Sequence, residues 1–220
     1  MSGRPSANPG DDAASPSGTE FPRLVAIEPS QGLANLPNKL TSIRLGLAFV
    51  LFALVHFRQW TLALVVFTVA AFTDWLDGYF ARKHNLSSKL GRVYDPLVDK
   101  VLVLGTFAFF MEASQTGLPG DSGWNAMMLT AVMAREFIVT GLRGFLEERG
   151  VKFGADRIGK AKMIAQCAAI FWVLLAFRLA AGGYSPAWVV WLRDGLNYAA
   201  VGLALASGGH YVALARRHLM

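Results

Sequence analysis

The sequence predicts an all-α fold, an integral membrane six-helix bundle, on three observations. First, 54% of the 220 residues are apolar and only 16% are charged, a greasier balance than that of an ordinary soluble domain. Second, six stretches, at about 37–57, 60–82, 91–112, 125–148, 157–180 and 186–214, are long and apolar enough, allowing for polar ends, to cross a hydrocarbon layer about 30 Å thick. Third, the connectors alternate in charge. "HFRQ", "QTGLPGDSG" and "AAGGYSP" carry almost no lysine or arginine, whereas "RKHNLSSK", "EERGVKFGADR" and "ARRHLM" are basic.

Residues 1–33 precede the first span and are rich in Pro, Gly, Ser and Ala without an apolar period, so they read as a mobile tail. The tail lacks the basic start and apolar core of a secretory signal, and Asp11 and Asp12 argue against a transit peptide. Residues 34–220 form the six-span membrane domain. If the tail is cytoplasmic, every one of the 21 lysines and arginines except Arg58, Arg178 and Arg193 falls on that side, which places both termini in the cytoplasm. The first span then runs outward carrying Arg44, and the second returns to reach Asp74 and Asp77 in its last turns. The third leaves from Gly91 with Asp95 and Asp99 in its first turns. The fourth returns with Arg135 and Arg143, the fifth starts at Lys160 and Lys162, and the sixth comes back to the terminal arginines. Trp60, Trp124, Trp188 and Trp191 sit near the predicted interfaces and read as anchors. The single Cys167, inside an apolar run, excludes an internal disulfide and reads as a small buried hydrophobe. The net charge of +6 comes from residues that are not interleaved with aromatics in a soluble segment, so nucleic acid is not an expected partner.

The four aspartates need an explanation, because an ionised group near the middle of a span costs roughly 2.5–3.5 kcal/mol. All four share one depth, where the cytoplasmic leaflet meets water. Asp74 and Asp77 are three apart and Asp95 and Asp99 four apart, so each helix presents a pair on one face. The short loop between the helices makes them antiparallel neighbours, and the two pairs converge. Protons or divalent cations must relieve the repulsion, and hard oxygen ligands suit Mg²⁺ or Mn²⁺. Two such ions about 3.5–4 Å apart are the usual clamp for displacement at phosphorus. Gly78, Ala81 and Gly91 leave room for a close backbone or a bulky ligand, and Arg82, one turn beyond Gly78, can hold a phosphate bidentately.

Written out, the stretch is Asp74, two residues, Asp77-Gly78, two residues, Ala81-Arg82, eight residues, Gly91, three residues, Asp95, three residues, Asp99. It resembles the signature of the CDP-alcohol phosphatidyltransferases at every fixed position. The resemblance implies a six-helix membrane enzyme that displaces CMP from a CDP-linked lipid or alcohol with two divalent metals. It further implies that Asp74, Asp77 and Asp95 ligate metal and that Asp99 ligates metal or acts as general base. Asp74, Gly78, Ala81, Arg82 and Gly91 would border the CDP moiety, with Arg82 on its diphosphate. A homodimer is the assembly the resemblance suggests.

The signature does not choose the acceptor. "NLPNKLTSIR" (35–44), "MAREFIVTGLRGFLEERG" (133–150) and "IGKAKMIAQ" (158–166) resemble the bacterial phosphatidylglycerolphosphate synthase branch of that family. Arg135 and Arg143 lie two helical turns apart, Lys160 and Lys162 start the next span on the same side, and Arg44 lies in the first. Cations converging beside a metal-bound diphosphate suit an acceptor that carries its own phosphate. Glycerol 3-phosphate meets that requirement and free serine does not. The reaction expected is transfer of a phosphatidyl group from CDP-diacylglycerol to sn-glycerol 3-phosphate, with the acyl chains in membrane lipid and the site facing the cytoplasm of a bacterial inner membrane. Inositol phosphate or phosphatidylglycerol as acceptor is the nearest rival. A cation transporter is a rival of another class, disfavoured because "LALVVFTVAAF" stays apolar outward of the carboxylates.

Overall fold

The computed structural model of the chain describes the backbone of residues 36–84, 91–115, 121–149 and 157–219, with side chains over 41–74, 94–114, 121–146 and 158–216 and at Arg149. Those residues form six α-helices and no strand: α1 Leu36–His56, α2 Trp60–His84, α3 Gly91–Gln115, α4 Ala126–Glu148, α5 Arg157–Ala181 and α6 Ala187–Leu219. The expected spans and these helices agree to within a few residues, and α6 runs on past its expected end. Residues 1–33, read from sequence as a tail, lie outside the described residues.

Local chemistry sets the ends. After α1 the chain reverses through Arg58, whose φ of 61° is left-handed. There the Gln59 N–H donates to Leu54 O at 2.8 Å, closing the turn so tightly that α2 starts at Trp60. Asn125 caps α4, its Oδ1 accepting the Met128 N–H at 2.9 Å. The α5 terminus closes through Gly183, φ 77°, with the Tyr184 N–H on Leu179 O at 3.0 Å.

The helices pack in an order that positions the acidic residues. α1 lies against α2 and α3, α5 against α2, α3 and α6, and α4 against α3 and α6. Leu51, Phe67, Phe107, Phe110, Ile170 and Leu174 are fully buried between them. Large apolar side chains also cover the outside, among them Phe49, Phe57, Met127, Ile164 and Trp191, a surface that suits lipid and not water. Only α5, over Ile158–Ala181, and α6, over Ala187–Arg216, are long and apolar enough among the described residues to cross a membrane by length and composition alone. α3 and α4 carry more charge: Asp99 of α3 pairs with Arg44 of α1, and Glu136 of α4 with Arg135 and with Lys162 of α5.

Two of the four tryptophans depart from the anchor reading. Trp60 is 5% exposed and stacks on Phe177 with ring centroids 4.5 Å apart, and Trp124 is 4% exposed and stacks on Phe107 at 3.7 Å. Their position along the span is near an interface, but their rings turn inward to fill the bundle. Trp188 and Trp191 are exposed, as anchors should be. The Trp124 indole also donates to Asn197 Oδ1 at 2.9 Å, and Asn197 Nδ2 donates to Ser122 O at 2.9 Å. Together with Arg193, which donates to Asp121 O, these bonds fasten the entry to α4 onto α6.

Candidate active site

Three helices assemble the acidic cluster. Thr41 and Arg44, three apart, share one face of α1; Asp95 and Asp99, four apart, share one face of α3; Asp74 lies late in α2. Because α1 packs on both α2 and α3, its polar face meets their carboxylates. Arg44 Nη1 stands 2.7 Å from Asp74 Oδ1 and donates to Asp99 Oδ1 at 3.2 Å. Thr41 Oγ1 donates to Asp95 Oδ1. The guanidinium is only 5% exposed, whereas Asp74 and Asp99 keep 35% and 26%, so the cation sits inside and the carboxylates open toward water.

Two carboxylates on one guanidinium, and a third held by a neutral hydroxyl, leave the cluster more negative than Arg44 can balance. An excess of carboxylate oxygens gathered around a point that already stabilises a cation fits hard divalent ions. Among the described residues no three His, Cys, Asp or Glu side chains close into a ligand shell. Asp77 continues the helix one turn after Asp74, but its side chain lies outside the described residues. So do those of Gly78, Ala81 and Arg82 on α2 and of Gly91 at the head of α3. The backbone of α2 is helical through His84, which keeps Asp74, Asp77, Gly78, Ala81 and Arg82 in the helical register their spacing requires.

A basic network begins at the residue after Asp99. Lys100 Nζ donates to Thr140 Oγ1 on α4 and interacts electrostatically with Asp99 on one side and with Glu136, Arg135 and Arg143 on the other. Glu136 is buried and accepts from Arg135 Nη1 at 2.9 Å and from Lys162 Nζ, tying α4 to α5. Arg135 also donates to Ser207 Oγ of α6, and Gly208 leaves space for it, since a Cβ there would lie 2.8 Å from Arg135 Cγ. One turn farther along α6, the Tyr211 hydroxyl accepts from Arg143 Nη2 at 2.8 Å. Lys160 is exposed at the start of α5.

The structure therefore gathers Asp74, Asp95, Asp99 and Arg44 in one cluster and Arg135, Arg143 and Lys162 in an adjoining one. Arg44, grouped in the sequence with the acceptor cations, is held by the carboxylates. Sequence reasoning gave no role to Thr41, Lys100, Ser207 or Tyr211. Thr41 had a signal, since it lies one turn before Arg44 within "NKLTSIR". Ser207 and Tyr211 had none, because their partners come from a helix distant in sequence.

The sequence model of the CDP-alcohol phosphatidyltransferase family matches residues 34–206, a range that holds both clusters. A protein of Escherichia coli (strain K12) named CDP-diacylglycerol--glycerol-3-phosphate 3-phosphatidyltransferase is 33% identical over 192 residues, covering 84% of this chain and 97% of its own length. A protein of the same name from Bacillus subtilis (strain 168) is 35% identical over 156 residues, covering 64% of this chain and 77% of its own. A third, from Shigella flexneri serotype 5b (strain 8401), is 33% identical over 192 residues, with 84% and 97% covered.

Proposed function

We propose that this chain, which belongs to the CDP-alcohol phosphatidyltransferase family, transfers a phosphatidyl group from CDP-diacylglycerol to the primary hydroxyl of sn-glycerol 3-phosphate, giving phosphatidylglycerol phosphate and CMP. The family is membrane-embedded and depends on divalent metal. One observation carries the reading: Asp74 and Asp99 turn onto a single cation, and a basic network that runs inward to the buried Arg135 and Glu136 starts at the very next residue, Lys100. Acid for metal and base for phosphate thus stand side by side.

Asp74, Asp77, Asp95 and Asp99 would hold two Mg²⁺ or Mn²⁺ ions. Bound there, such ions polarise the phosphoryl group under attack and neutralise the charge developing on CMP. Arg82 binds the diphosphate, while Gly78, Ala81 and Gly91 give the CDP moiety room beside Asp74. Asp99 takes the proton of the attacking hydroxyl as the new P–O bond forms and the bond to CMP breaks. Arg135, Arg143, Lys160 and Lys162 orient the acceptor phosphate, and Arg44 borders both halves of the site.

The charge distribution supports a site and both termini facing the cytoplasm, in a bacterial inner membrane. Residues 34–220 are the catalytic domain and residues 1–33 an appended tail, and the working assembly is a homodimer. The test is CMP release by purified protein in detergent with CDP-diacylglycerol and Mg²⁺, comparing glycerol 3-phosphate, inositol phosphate, phosphatidylglycerol, serine and no acceptor. Release confined to glycerol 3-phosphate supports the reading. Release with inositol phosphate keeps the reaction class and the role of the basic network but changes the acceptor, whereas release with serine keeps the reaction class and removes the assignment of the basic network.

A further inference from the structure

Gln166 has no part in the mechanism above, yet its position is unusual. It is 3% exposed, and its amide nitrogen has no hydrogen-bond partner among the described residues. It belongs to the inward stripe of α5 formed by Lys162, Gln166, Ile170, Val173 and Phe177. The far end of that stripe faces α2 and α3, where Phe177 meets Trp60 at 4.5 Å and Phe110 at 5.9 Å. The near end is Lys162, one helical turn from Gln166, bonded to Glu136. α5 itself packs against α2 and α3, the helices that carry Asp74, Asp95 and Asp99. Gln166 therefore stands one turn inward of Lys162, where the stripe passes from charged to apolar residues, on a helix that packs against both carboxylate-bearing helices.

Buried amide groups are nearly always paired, because an unmatched donor loses its hydration without replacement. An apolar side chain of similar size would fill the same place without that penalty. We infer that Gln166 is a specificity-determining residue, its amide hydrogen-bonding the middle hydroxyl of a polyol phosphate acceptor. This rests on the proposed reaction. With the acceptor phosphate on the Arg135–Lys162 side and the reacting hydroxyl at Asp99, the carbon between them carries a hydroxyl that needs a partner. A hydroxyl both donates and accepts, so it matches either end of the amide.

The experiment compares two acceptors on the purified full chain in detergent, sn-glycerol 3-phosphate and 3-hydroxypropyl phosphate. They share the phosphate and the primary hydroxyl and differ only in the middle hydroxyl. The wild type should prefer glycerol 3-phosphate in kcat/KM by roughly tenfold to a hundredfold, the range expected for one buried hydrogen bond. Gln166→Leu should bring the ratio close to one by losing activity on glycerol 3-phosphate alone, with no fall in thermal stability, since it removes an unpaired group. Gln166→Asn, which keeps the amide but retracts it by a methylene, should give an intermediate ratio and decides the matter if the leucine variant does not fold. A ratio unchanged in the variants, or both acceptors weakened equally, overturns the role of Gln166 while leaving the proposed reaction intact. A wild type that releases CMP with neither compound overturns both.

Discussion

Glu136 is the side chain whose replacement should expose the energetics of the basic network most clearly. It is 6% exposed and is the shared partner of two cations, Arg135 Nη1 at 2.9 Å and Lys162 Nζ, themselves 7% and 12% exposed. Glu136→Gln keeps the shape and one acceptor oxygen but removes the charge, leaving two poorly hydrated cations facing each other. Breaking a buried ion pair from one side costs about 3–5 kcal/mol. The lower end applies, since Arg135 retains Ser207 and the glutamine oxygen still accepts one bond. For a chain of this length about 3 kcal/mol corresponds to a fall in Tm of roughly 6–12 °C. The assay is thermal unfolding in detergent at one fixed scan rate. Lys162→Met added to Glu136→Gln removes one of the stranded cations and should recover about half of the loss. A single variant that melts within about 2 °C of wild type, or a double variant less stable than the single, would refute the idea that Glu136 holds the network by charge.

Three further outcomes are expected. Asp99→Asn should lower kcat by about 10²–10⁴-fold while the protein remains folded in detergent, because a metal oxygen and a proton acceptor are lost together; activity within a factor of about five would remove Asp99 from the mechanism. EDTA should abolish CMP release and added Mg²⁺ or Mn²⁺ restore it, whereas release that survives full chelation contradicts the metal assignment. Gly105→Val should destabilise by about 1–3 kcal/mol, read as a lower Tm. A Cβ at Gly105 would stand 2.8 Å from Phe52 Cε1, and the Phe52 ring is also stacked on Phe109 with centroids 5.1 Å apart.

The helix boundaries were legible because the bilayer fixes a length and because short polar connectors such as "HFRQ" and "AAGGYSP" punctuate it. Which side of each helix faces inward was not. In water an apolar stripe marks the buried face, but in a bilayer lipid and core are equally apolar and the stripe vanishes. That is why Trp60 and Trp124 read as anchors and turned out to be core, while Trp188 and Trp191 fitted. Local spacing foretold the shared face of Asp95 and Asp99. Their partners Thr41 and Arg44 come from a helix more than fifty residues away, and nothing local marks that pairing. The Arg135–Glu136 pair was readable from adjacency, whereas Ser207 and Tyr211 closing over the α4 arginines depends on how α6 crosses α4.

The most direct test of the account follows labelled sn-glycerol 3-phosphate into organic-extractable lipid while CMP is measured in the same reaction, with CDP-diacylglycerol and Mg²⁺. The account predicts one label incorporated for each CMP released, and both products falling together by about 10²–10⁴-fold in Asp99→Asn. CMP released without label entering lipid would mean that water is the acceptor, and would contradict a phosphatidyl transfer to glycerol 3-phosphate.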